Sequence, residues 1–149
     1  MKFSGDADNI RYDDRDRRII VGYGDGALGL LDPAGKKIGE VRLDAHPESF
    51  RLEKNGTRAF VNVPDRKRIE VVDLTDSSVV SKWPVTSALK NYPMALDEMH
   101  HRLFIGCRAP ARLLVFDTDN GKQKASLEIV GDTDDLFYDA ARRRVYVIG

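Results

Sequence analysis

Arg102-Leu103-Phe104-Ile105 decides how this chain is read, because the same pattern, an arginine followed by three apolar residues, stands at three other places. The copies are Arg18-Ile19-Ile20-Val21, Arg58-Ala59-Phe60-Val61 and Arg144-Val145-Tyr146-Val147, and successive arginines lie 40, 44 and 42 residues apart. Self-similarity at that period marks an array of supersecondary units stacked on one another. What the unit contains follows from the residues around each arginine.

Six residues before each arginine an apolar triplet ends: Ile10-Arg11-Tyr12, Phe50-Arg51-Leu52, Met94-Ala95-Leu96 and Leu136-Phe137-Tyr138. A connection that never changes length is a defined hairpin. Its residues, such as Asp13-Asp14-Arg15-Asp16 and Asn55-Gly56, have the chemistry of turns. The arginine-led strands are β-branched, aromatic and almost continuously apolar, as expected where both faces are covered. A third strand follows at residues 27–31, 69–72 and 113–116. Each is closed by an aspartate, Asp32, Asp73 or Asp117, placed to accept turn amides. The fourth segment, at residues 37–43, 79–85 and 124–130, exchanges apolar for charged side chains and reads as an edge. No segment has helical periodicity.

The fold class is therefore all-β. Four antiparallel strands recurring every forty-odd residues predict a β-propeller fragment of about three four-stranded blades plus two strands of another. The repeats run 9–49, 50–93 and 94–135, with a half repeat at 136–149. Residues 2–5 read as the tail of a preceding outer strand, so both ends look cut.

Composition excludes several classes. The 24 basic and 24 acidic residues balance, so no net field draws the chain to nucleic acid or an anionic membrane. The single cysteine, Cys107, excludes an intramolecular disulfide framework and reads as a space-filler near a strand end. No apolar run approaches the length of a membrane span, and residues 1–15 hold no signal-peptide core, which predicts a soluble chain without an export signal.

The unit resembles the YVTN or YncE-type propeller repeat, a resemblance carried by Tyr138, Asp139 and Arg144-Val145-Tyr146-Val147. Three loop-like stretches, His46-Pro47-Glu48-Ser49-Phe50, Asn91-Tyr92-Pro93-Met94 and Gly131-Asp132-Thr133-Asp134, look like those of a bacterial branch of that family. The resemblance implies a seven-bladed ring of about twice this length. It also implies a periplasmic or exported location.

Aligning the repeats puts Asp8-Asn9, Glu48-Ser49, Tyr92-Pro93 and Asp134-Asp135 in equivalent loops beside the central axis. Asp8, Glu48 and Asp134, with His46 close by, are the candidate ligands of a hard cation such as Ca²⁺. The connections between second and third strands emerge on the same face and carry Arg66, Lys67, Arg108 and Arg112. Together with Glu48 and Tyr92, the arginines Arg66, Arg108 and Arg112 form a candidate site for a carboxylate or phosphate. The competing reading makes all of these solvated turn and rim residues.

No catalytic residue emerges. Gly22-Tyr23-Gly24-Asp25-Gly26 lies between strands, with no helix to receive a phosphate. His46 and Ser49 lack a nucleophile elbow. His100-His101 sits in a hairpin on the opposite face. The expected function is a non-enzymatic binding or scaffold module that uses the axial loop face for a small ligand, ion or partner. The alternative is a metal-assisted hydrolase of lactonase type or a quinone-linked dehydrogenase propeller. The unfinished edge at the final apolar strand predicts a homo-oligomer in which Val145 and Val147 are buried against the partner's first blade, with no nucleic-acid partner and no membrane span.

Overall fold

The computed structural model describes residues 5–149, so of the expected strand tail at residues 2–5 only Gly5 is among them. The first sheet is β1 (Ala7–Asp13), β2 (Arg18–Tyr23), β3 (Ala27–Leu31) and β4 (Lys37–Arg42). The second is β5 (Phe50–Leu52), β6 (Arg58–Val63), β7 (Arg68–Asp73) and β8 (Ser78–Pro84). The third is β9 (Leu89–Asp97), β10 (Arg102–Ala109), β11 (Ala111–Asp117) and β12 (Gln123–Glu128), and a hairpin of β13 (Asp135–Asp139) and β14 (Arg144–Ile148) follows. Each sheet is an antiparallel meander in chain order. The first strands neighbour one another, β1 against β5, β5 against β9 and β9 against β13. No helix of the described residues is long and apolar enough to cross a membrane.

Three packing layers explain the continuous apolar runs. Between the first and second sheets, Ile20, Leu28 and Val41 meet Phe50, Ala59, Val61 and Val72. Phe60, one residue along β6, points the other way, into a layer with Trp83, Leu103, Ile105 and Phe116. Phe104 in turn faces Leu136, Val145 and Val147 of the hairpin. Side chains alternate across a strand, so a strand between two sheets needs apolar residues at every position. The aspartates after the third strands serve their turns. Asp32 Oδ1 accepts from the Ala34 and Lys36 amides at 3.0 and 2.9 Å, Asp73 Oδ1 from Thr75 at 2.7 Å, and Asp117 Oδ1 from Asp119 at 3.0 Å.

Two expected loops are shorter than the sequence suggests. Tyr92-Pro93 lies inside β9, where the register passes from Met94 opposite Ile105 to Asn91 opposite Cys107. Two residues of β9 therefore bulge opposite Gly106. A Cβ on Gly106 would come within 2.7 Å of Pro93 Cγ, so the bulge requires that glycine. Likewise Arg108 pairs with Ala111, which reduces the expected five-residue connection to a tight turn. Cys107 is buried and its thiol is pushed up to about 12 by desolvation, the state of an inert core residue.

Candidate functional site

Asp8, His46 and Glu48 arrive from different parts of the chain. A register shift in β1 between Ala7 and Asn9 falls at Asp8. A bulge of this kind re-aims the side chain it carries. His46 follows residues 43–45, which lie against the turn between β2 and β3. The Leu43 amide donates to the Gly26 carbonyl at 3.0 Å, and Gly26, at φ 146°, leaves only 2.8 Å between an added Cβ and the Leu43 carbonyl oxygen. Glu48 is fixed through its amide, which donates to the Asn62 carbonyl at 3.0 Å.

The result is a cluster whose ligand atoms all lie within 4.8 Å of one another. His46 Nδ1 is 2.5 Å from the Gly24 carbonyl oxygen and Nε2 is 2.7 Å from Asp8 Oδ2. Both ring nitrogens face acceptors, an arrangement that favours the imidazolium. Burial alone lowers the His46 pKa, but the bonds to Asp8 and the Gly24 carbonyl outweigh it and the net shift is upward. Glu48 is also shifted upward, by burial and then by the negative charge of Asp8. The cluster can hold a divalent cation: Gly24 orients the ring from Nδ1 and leaves Nε2 for a metal, the usual way a ligating histidine is supported.

Glu48 also lines a cavity of about 470 Å³ with Tyr92, Arg108, Asp134, Arg11 and Arg51. Arg108 stacks its guanidinium 4.8 Å from the Tyr92 ring centroid, donates from Nε to the Thr133 carbonyl at 3.1 Å and pairs with Asp134 and Asp132. Ser49 Oγ and Asn62 Nδ2 donate to the Tyr92 carbonyl at 2.5 and 2.9 Å and fix that strand from the second sheet.

The expected site residues thus divide. Asp8, His46 and Glu48 come together, while Asp134 stands outside the cluster, 69% exposed and held by Arg108. The hairpin β13–β14 begins at Asp135, and the Asp134 amide is tied to the Ile148 carbonyl at 2.8 Å, which leaves its side chain to the rim. Of the three expected arginines only Arg108 reaches the cavity. Arg66 donates from Nε to the Asp44 carbonyl at 3.1 Å, and Arg112 pairs with Glu128 at 3.4 Å. His100 and His101 separate, one to Asp97 at 2.8 Å and the other to Asp119 at 3.0 Å. The arginines that sequence reasoning missed are Arg11 and Arg51. Their signal was present: each is the middle residue of its apolar triplet, in equivalent places of two repeats.

No family model matches the chain, and no curated protein matches it by sequence. Among solved structures, 758 chains match it, so the architecture is widespread and selects no activity. The chain is similar to hydrazine synthase of Kuenenia stuttgartiensis, with a TM-score of 0.81, 13% identity and 99% of this chain covered. The match takes in 44% of that chain, so this sequence spans less than half its length. At that identity the likeness carries the fold alone.

Proposed function

We propose that the chain is a segment of a β-propeller, of the YVTN or YncE type, that works as a binding module and holds a divalent cation at Asp8, His46 and Glu48. The repeat period and the recurrence of one four-strand meander support the propeller. The exported location implied by the family resemblance belongs to the same proposal.

One observation carries the cation reading: an imidazole oriented by a backbone carbonyl, with two carboxylates converging on the same point. A nitrogen ligand among oxygens suits Zn²⁺ or Mn²⁺ better than the all-oxygen preference of Ca²⁺. The test is calorimetric titration of the metal-free chain with Zn²⁺, Mn²⁺ and Ca²⁺. One ion per chain is expected, with Zn²⁺ or Mn²⁺ ahead of Ca²⁺. His46→Gln and Asp8→Asn should each weaken binding by about ten- to a hundredfold or abolish it. Failure of all three ions to bind, or variants that bind like the parent, would overturn the reading.

A further inference from the structure

Arg11 and Arg51 occupy matching positions in β1 and β5, two neighbouring first strands, and both are half-buried. The arginines that open the second strands of the same two sheets are matched by a carboxylate, Arg18 by Asp13 at 3.0 Å and Arg58 by Glu53 at 2.6 Å. Among the described residues neither Arg11 nor Arg51 has an ion pair. Arg11 donates only to the Ile10 carbonyl and to Asn9 Oδ1, at 2.7 and 3.0 Å, and Arg51 only to the Phe50 carbonyl at 3.3 Å. Most of their ten guanidinium N–H directions are left for something else.

The surroundings are those of a receptacle. Both arginines line the cavity of about 470 Å³ beside Glu48, and both line a second hollow of about 320 Å³ toward the hairpins at the other end of these strands. They sit where two cavities meet. In the larger cavity Glu48 lies beside them and Asp135 acts on both from beyond ion-pair distance, while in the second hollow Asp13 and Glu53 are taken by Arg18 and Arg58 and Asp14 is the remaining carboxylate. Asp134 is already taken by Arg108. Arg51 is brought down to about 10 by burial and by the like charge of Arg11, which together outweigh the more distant Asp135. Keeping such a pair costs stability, which a protein tolerates where the missing charge comes from a ligand.

We infer that Arg11 and Arg51 form the floor of a binding site for a small dianion, a phosphate group or a dicarboxylate, entered past Arg108 and Tyr92. Two guanidiniums present paired donor forks, and a dianion neutralises both at once. The site adjoins the cation cluster at Glu48, but neither arginine belongs to that cluster. It therefore operates without metal.

The test uses the 149-residue chain, stripped of metal on a chelating resin and free of soluble chelator, at low ionic strength, titrated calorimetrically with inorganic phosphate and separately with succinate. Binding of phosphate alone identifies a phosphate site and of succinate alone a dicarboxylate site. Binding of neither overturns the inference. Arg51→Met should weaken binding by about ten- to a hundredfold, while Arg66→Met leaves it unchanged. Without anion, Arg51→Met should raise the melting temperature, because an uncompensated buried charge has gone. Unchanged affinity with a lowered melting temperature would make Arg51 a structural residue and sink the proposal. If the methionine variant does not fold, Arg51→Lys keeps the charge and loses the fork. It should bind about tenfold more weakly, and parental affinity in that variant would be equally fatal. Because the protein is metal-free throughout, failure here leaves the cation reading untouched, and the reverse also holds.

Discussion

His46 links two equilibria, because the proton that completes its hydrogen bonds to Asp8 and Gly24 occupies the position a metal would take. Its folded-state pKa lies above the ordinary value, so the imidazolium's contribution to stability is complete below the unfolded pKa and is lost as pH rises through the folded one. In metal-free protein, His46→Gln should therefore lower the melting temperature more at pH 5.5 than at pH 9, each value set about one or more units to either side of a histidine's normal range. Cation binding should run the opposite way. Protons on His46 and Glu48 both compete with the ion and both pKa values are raised, so affinity should still be climbing above the pH where a normal histidine has finished titrating. Titrations at several pH values check this, and a flat profile would count against these ligands. Asp134→Asn should leave cation affinity unchanged, because Arg108 holds that side chain at the rim. All three residues of the cluster were legible in the sequence, Asp8 and Glu48 by aligning repeats that put them in equivalent loops and His46 by its nearness to Glu48. That alignment could not separate Asp134, since its place depends on the hairpin that follows. It also passed over Arg11 and Arg51, whose meaning lies in their having no ion pair among the described residues, and that is a property of three dimensions only.

At the scale of the strand, period and burial agree closely because one rule governs both. β6 and β10 lie between sheets, so their apolar runs are continuous, whereas β12 is exposed along its length and carries polar residues accordingly. The strand order and the turn aspartates could be read in advance for that reason. The bulge at Tyr92-Pro93 could not, because proline in sequence signals a loop, and only its pairing opposite Gly106 shows that an edge strand continues through it. The layers make a quantitative prediction. Ile105 is fully buried between the second and third sheets, so Ile105→Ala should cost about 2–5 kcal/mol in urea unfolding, as the cavity cannot close without moving two sheets. Ile38, 59% exposed on β4, should tolerate alanine within about 0.5 kcal/mol. Equal losses at the two sites would mean that the sheets are not packed as layers.

At the scale of the molecule, the third sheet is covered unevenly. The hairpin β13–β14 shields Phe104 and packs Val145 and Val147 inward on this chain's own third sheet, so these valines do not face outward as the sequence suggested. What lies open instead is the far side of the hairpin and the remainder of the third sheet. Phe137, Tyr146 and Ile148 are 49%, 45% and 52% exposed, and Leu127 and Val130 are each 50% exposed. A hollow of about 680 Å³ on the third sheet is lined by Phe104, Leu113, Val115 and Leu127. Among the described residues β14 pairs on one side only, so its other side presents unpaired backbone groups along this apolar surface. A second copy of the chain, laying an edge strand along β14, would satisfy those groups and cover Leu127 in one step. We therefore expect the 149-residue chain to self-associate, as a two-fold dimer in the simplest arrangement. Light scattering after size-exclusion chromatography should give twice the 16.8 kDa chain mass at micromolar concentration. Ile148→Lys should return it to the monomer by placing a charge on the edge, whereas Val147→Lys should lower stability in monomer and dimer alike, because that side chain belongs to the chain's own core. A parent that remains monomeric at every concentration tested, or a dimer indifferent to Ile148→Lys, would place the contact elsewhere or remove it.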